Sequence, residues 1–107
     1  MKQISASDLN DLMQTETDLQ IIDIREAYEF DYSNLGLKAT SIPMAELIDR
    51  ISEIQSTGKV IIHCKSGKRA EAMIDYLEVH FKLKNLYHLT GGIAAWSQEV
   101  DASAIPC

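Results

Sequence analysis

The run Val60-Ile61-Ile62, with a cysteine loop directly after it, constrains this chain most. Three consecutive β-branched residues after Lys59 predict a fully buried strand. Then come His63, Cys64, Lys65, Ser66, Gly67, Lys68 and Arg69. Over 70–80, apolar residues recur at helical spacing, with Ala70, Met73, Ile74 and Leu77 on one face. A cysteine therefore stands where a buried strand ends, a short loop intervenes, and a helix begins. Such a loop turns backbone N–H groups into one bowl, and the helix N-terminus adds partial positive charge. A thiol held there is expected to be thiolate, the nucleophilic form. Lys65, Lys68 and Arg69 act in the same sense. Three of the ten Lys and Arg residues fall in this loop of a chain with formal net charge -6, which points to an anion site. The competing reading is an inert core cysteine, the common fate of Cys at the end of an apolar strand. The glycine, the cations and the strand-loop-helix setting weigh against it.

Cys64-x-x-Gly67-x-Arg69 resembles the active-site loop of the rhodanese family of sulfurtransferases. Two further stretches match that family. Asp23-Ile24-Arg25-Glu26-Ala27-Tyr28-Glu29-Phe30 resembles its Asp-x-Arg-x-x-x-Glu-Phe/Tyr motif, and Gly91-Gly92-Ile93-Ala94-Ala95-Trp96 its Gly-Gly-x-x-x-Trp motif. The three stand in the family's order. With Asn34-Leu35-Gly36 and Ile42-Pro43-Met44, they are most similar to rhodanese domains fused behind adenylating enzymes of molybdopterin and thiamine pathways. No adenylating segment lies within these 107 residues. One stretch departs from the pattern: 34–43 lacks the histidine that many members carry at this rim, while Ile42-Pro43 is retained.

Length and composition set the frame. A chain of 107 residues makes one domain, read here as 1–107 with 101–107 a loosely ordered tail. The acidic balance argues against nucleic acid and membrane as partners. The N-terminus lacks the apolar stretch of a secretory signal, so the expected compartment is the cytoplasm, which suits a working thiol. Ser5 offers a helix N-cap with Asp8 three residues on, and Leu9, Leu12 and Met13 share a face. Strands are predicted at 20–24, 42, 59–63 and 85–89, with 2–4 a short edge strand. Helices fall between them, including 26–32 and one over 45–54 carrying Leu47, Ile48, Ile51 and Ile54. This is an α/β domain, rhodanese-like on the resemblance, with a mostly parallel central sheet and helices on both faces. The strand ends then gather Asp23, Cys64 and Gly91 on one edge.

The resemblance implies transfer of a sulfane sulfur through a persulfide on Cys64, in two covalent steps. Lys65, Ser66, Gly67, Lys68 and Arg69 form the substrate-binding loop, and Arg69 either attracts the anionic donor or fixes the loop by bonding carbonyls. Asp23 and Arg25 brace the loops; read from the residues alone they are a surface ion pair or a cap. Gly91 and Gly92 allow a tight backbone path beside the loop. His63 points to the other side of the strand from Cys64 and is structural. The expected partners are a small anionic donor such as thiosulfate, a desulfurase persulfide, or a small sulfur-carrier protein. No cofactor and no metal are expected.

Rival readings remain open. Cysteine phosphatases also begin a loop with His-Cys and end it with Arg, but with one residue more than the four standing between Cys64 and Arg69. The shorter bowl suits a single sulfur better than a phosphate. Arsenate reduction would need a shuttling thiol, and Cys107 is the only other cysteine. That role requires the tail to fold back over the active edge; otherwise Cys107 is incidental. A non-catalytic interaction module is the remaining class.

Overall fold

The computed structural model describes residues 1–36 and 38–107, so Leu37 of the 34–43 stretch lies outside the described residues. Five strands form one sheet: β1 (Lys2–Ile4), β2 (Gln20–Asp23), β3 (Ala39–Ser41), β4 (Val60–His63) and β5 (Leu86–Leu89). Their spatial order is β1-β5-β4-β2-β3, and every neighbouring pair is parallel. The helices are α1 (Ala6–Thr15), α2 (Ala27–Tyr32), α3 (Met44–Leu47), α4 (Lys68–Phe81) and α5 (Gly92–Glu99).

The two-residue period of the strands sorts the core into two layers. Val60, Ile62, Cys64, Ile22, Ile24 and Leu86 pack with Leu47, Ala70, Met73, Ile74 and Leu77. Ile21, Ile61 and Leu89 pack with Ala6, Leu9, Ile93 and Trp96. α3 and α4 thus cover one face, and α1 and α5 the other, as the alternation of strands and helices predicts. Each fully buried Ile or Leu contributes about 1.5–3 kcal/mol. Ser5 caps α1 through a hydrogen bond from the Asp8 N–H to its Oγ, 3.1 Å long.

Strand connections place the crevice. From β2 the chain goes through α2 to β3 at one edge; from β4 it goes through α4 to β5 in the opposite direction. β2 and β4 are neighbours, with Asp23 beside His63. A crevice opens outside the C-terminal ends of two such diverging strands.

Two elements differ from the sequence-based expectation. The helix over 45–54 is broken: α3 stops at Leu47 and a 3₁₀ turn comes after it at Ile51–Glu53. Arg50 adopts φ -112, ψ 24, and its N–H is shared between the carbonyls of Glu46 and Leu47. The Gln20 side chain then takes over the chain end, donating to Glu53 O and accepting from Gln55 N–H, each at 2.8 Å. The strand expected at Ile42 lies at Ala39–Ser41, with Pro43 ending the run. The segment 101–107, expected as a loosely ordered tail, is mostly exposed but touches the rest of the domain. Ala104 is buried in the layer of Ile93 and Trp96, and Ser33 Oγ donates to Ile105 O at 2.9 Å. Among the described residues, no helix is long and apolar enough to cross a membrane.

Candidate active site

Cys64 comes directly after β4 and is 1% exposed. The helix after it starts two residues earlier than periodicity suggests, at Lys68, with Gly67 as its N-cap in the left-handed region (φ 111). Lys68 and Arg69 therefore belong to the first turn of α4, and the loop proper is only Lys65-Ser66-Gly67. That brings the helix start onto the sulfur. The Gly67 N–H donates to Cys64 Sγ at 3.2 Å and the Ala70 N–H at 3.4 Å. A helix N-terminus has N–H groups with no intrahelical acceptor, and α4 has no side-chain cap of its own. The sulfur fills that place, where the helix dipole favours negative charge.

The loop's carbonyls are pinned from the opposite side. Ile93 N–H donates to Cys64 O at 2.9 Å, and Ala94 N–H to Lys65 O at 3.0 Å. In a trans peptide the C=O and N–H point opposite ways, so the Lys65 and Ser66 N–H groups are aimed away from α5. This contact needs glycine at position 92: a Cβ there would lie 2.4 Å from Cys64 O and 2.5 Å from Lys65 O. Gly91, at φ 77, is the N-cap of α5.

Asp23 and Arg25 are fully buried, not a surface pair. Arg25 Nη2 lies 2.6 Å from Asp23 Oδ2, and Nε contacts both carboxylate oxygens at 3.0 and 3.1 Å. Nη2 also donates to Ser33 O at 2.7 Å, tying the end of β2 to the end of α2. His63 stands beside them, its Nε2 3.8 Å from Asp23 Oδ2. Burial pushes the His63 imidazole below its ordinary value; the Asp23 charge opposes this and the Arg25 charge adds to it.

Arg69 neither bonds a loop carbonyl nor stands free. Its Nη1 donates to Glu29 Oε1 at 3.3 Å, and the same oxygen accepts the Glu26 N–H at 3.0 Å. Burial pushes the Glu29 carboxyl up, but the bonds from Arg69 and Glu26 and the charges of Arg69 and Arg25 outweigh it and hold it below its ordinary value. Lys65 is exposed and reaches the C-terminal segment, Nζ donating to Cys107 O at 3.1 Å. Ser66 is exposed on the loop. Lys68 lines an open depression of about 540 Å³ with Glu71 and Asp75. Among the described residues, no group of three His, Cys, Asp or Glu side chains is placed to hold a metal.

The parallel five-stranded sheet that carries this loop is matched by known proteins. Residues 5–99 match the family described as Rhodanese-like domain. The chain belongs to that family. It is 28% identical over 102 residues to the tRNA uridine(34) hydroxylase of Pectobacterium atrosepticum, covering 88% of this chain and 28% of that protein. It is 26% identical over 110 residues to the adenylyltransferase and sulfurtransferase MOCS3 of Drosophila yakuba, covering 95% of this chain and 24% of that one. The chain thus spans about a quarter of the length of these curated relatives. The crystal structure of a rhodanese-like domain protein from Staphylococcus aureus superposes with a TM-score of 0.82 at 26% identity, covering 94% of this chain and 95% of that one.

In this rhodanese-like domain the three sequence motifs converge at the ends of β2, β4 and β5. Cys64, Gly67, Gly91 and Gly92 stand around one loop; Asp23 and Arg25 lie behind it beside His63; Arg69 turns aside to α2. Sequence reasoning passed over two residues. Glu29 sits inside the Asp-x-Arg-x-x-x-Glu motif, and its spacing from Arg25 was the available signal. His88, in β5, bonds the Gly67 carbonyl; nothing in the sequence marked it.

Proposed function

We propose that the chain is a sulfurtransferase that carries a sulfane sulfur on Cys64. The observation that carries this reading is the pair of N–H groups, from Gly67 and Ala70, converging on Sγ. A sulfur that bears negative charge is the better acceptor for both, which favours the nucleophile. With thiosulfate, the Cys64 thiolate attacks the outer sulfur, the S–S bond of the donor breaks, and sulfite leaves with the electron pair. Cys64 then holds a persulfide anion. A thiophilic acceptor such as cyanide attacks the outer sulfur and leaves as thiocyanate, regenerating the thiolate. No general base is required, and no cofactor or metal enters.

The Lys65 and Ser66 N–H groups are the natural donors for the outer sulfur. Lys65 and Lys68 draw in an anionic donor, while Arg69, held by Glu29, fixes the first turn of α4 against α2. The buried Asp23–Arg25 pair braces the end of β2. A protein persulfide as donor, or a small sulfur-carrier protein as acceptor, fits the same chemistry.

Mass spectrometry of the intact protein and its peptides after thiosulfate tests the reading. The expected result is one added sulfur on Cys64. Absence of any adduct, together with turnover of an aryl phosphate above that of thiosulfate, would replace it with the phosphatase reading. Phosphate chemistry is disfavoured because Arg69 is engaged by Glu29.

A further inference from the structure

His88 lies in β5, and the two-residue period sets it on the face of Leu86, the layer of α4. It is 6% exposed. Its Nε2 stands 2.9 Å from the Gly67 carbonyl oxygen. A carbonyl only accepts, so Nε2 carries the hydrogen. Nδ1 is buried and has no partner among the described residues. The ring's polarity is therefore directed at the active loop alone. Gly67 O also accepts the Glu71 N–H at 2.9 Å, the opening bond of α4. Two donors on one oxygen fix the orientation of that carbonyl.

Gly67 needs such fixing. It has φ 111 and ψ -19, and glycine has no side chain to restrict its own rotation. Its N–H is one of the two donors on Cys64 Sγ. Turning the Gly67 backbone turns that donor off the sulfur and shifts the start of α4, which supplies the Ala70 donor. His88 also limits the space: a Cβ on Gly67 would lie 3.0 Å from His88 Nε2.

We propose that His88 is a positioning residue of the active loop: its Nε2–H holds the Gly67 carbonyl and so keeps the Gly67 and Ala70 N–H groups on Cys64. It touches neither sulfur nor donor. Its effect on turnover rests on the sulfur-transfer reading; its effect on the Cys64 thiol does not.

The test compares His88→Leu, which removes the donor, with His88→Gln, whose side-chain amide restores an N–H near the place of Nε2. Both are made in the full chain with Cys107→Ser, so that Cys64 is the only thiol. Iodoacetamide alkylation is measured against pH, thiosulfate turnover is resolved into kcat and KM, and thermal unfolding is recorded alongside. In His88→Leu the alkylation profile moves to higher pH and kcat falls about tenfold to a hundredfold, the scale of a misplaced stabilising group, with KM for thiosulfate little changed. In His88→Gln both readouts stay within about threefold of the parent, the range left by a restored donor. An unchanged alkylation profile in folded His88→Leu overturns the proposal, as does a Gln variant as impaired as the Leu variant. If His88→Leu does not fold, His88→Asn, too short to reach Gly67 O, takes its place with the same two outcomes. A shifted profile in a protein whose parent transfers no sulfur upholds the positioning role and removes the sulfur-transfer reading instead.

Discussion

Two helices begin at this site, and they use their first N–H groups differently. Both start on a glycine N-cap in the left-handed region, Gly67 for α4 and Gly91 for α5, and neither has a side-chain cap. Helices that lack the usual Ser, Thr, Asp or Asn at this position must satisfy their N–H groups elsewhere. α5 directs Ile93 and Ala94 to the carbonyls of Cys64 and Lys65, neutral backbone acceptors. α4 directs Ala70, with Gly67 just before it, to the sulfur of Cys64. The same terminal geometry meets neutral carbonyls in one helix and a thiol sulfur in the other. What separates them is the acceptor each is offered.

Replacing the acceptor at α4 should have the largest effect. Cys64→Ser is expected to reduce transfer from thiosulfate to cyanide to background. Its thermal midpoint should stay near that of the parent, because a serine oxygen accepts helix N-terminal N–H groups as readily as sulfur does. Activity retained with Cys107 as the only thiol would remove the distinction between the two helix starts.

A lesion that touches neither helix start sets the scale for stability. Asp23→Asn leaves the Arg25 guanidinium buried and without its counter-charge, and is expected to destabilise by about 3–5 kcal/mol. Denaturant unfolding checks this. A loss below about 1 kcal/mol, the range of exposed pairs, would mean that water reaches the pair.

At α5 the sharpest change is Gly92→Ala. Residue 92 has φ 59, and the new Cβ would press on the two carbonyls that α5 holds. About 1–3 kcal/mol of destabilisation is expected from the strained backbone, with a loss of thiosulfate turnover because the loop must move. Turnover unchanged in a destabilised variant would show that α5 supports the fold without shaping the loop.

The smallest effect concerns the clamp that α4 has and α5 lacks. Glu29→Gln breaks the ion pair to Arg69 and is expected to lower stability at neutral pH by about 1 kcal/mol or less, since Arg69 remains partly exposed to solvent. The sign with pH comes from the lowered Glu29 carboxyl. Its contribution is complete above the ordinary carboxylate value of 4.5 and is lost as pH falls through the lower folded-state value. Thermal midpoints of parent and variant should therefore converge in acid. A constant gap down to strongly acidic pH would place the effect in packing.

The sheet was legible because its central strands are short β-branched runs: Val60-Ile61-Ile62 and Ile21-Ile22 can be buried on both faces and little else. The loop was legible from Cys64 and Gly67, and the supporting glycines from their pairing at 91 and 92. The break in 45–54 was not, since Leu47, Ile48, Ile51 and Ile54 keep helical spacing across it; the Gln20 side chain that takes over the chain end comes from β2, distant in sequence. Burial of Asp23 and Arg25 was also hidden. Two charges near a strand end look alike exposed or enclosed until α2 and β4 close over them. His88 is the plainest case: its partner, Gly67 O, is a backbone atom distant in sequence, and periodicity carries no information on such pairs.

The two anchors of the loop come late in the chain. Protein synthesis proceeds from the N-terminus, so Cys64 leaves the ribosome before His88, Ile93 and Ala94 exist outside it. Until they arrive, the carbonyls of Cys64 and Lys65 lack their partners, and that of Gly67 has only the Glu71 N–H. A nascent chain thus carries Cys64 as one more small side chain at the end of β4, and the arrangement proposed to activate it is complete only when α5 docks.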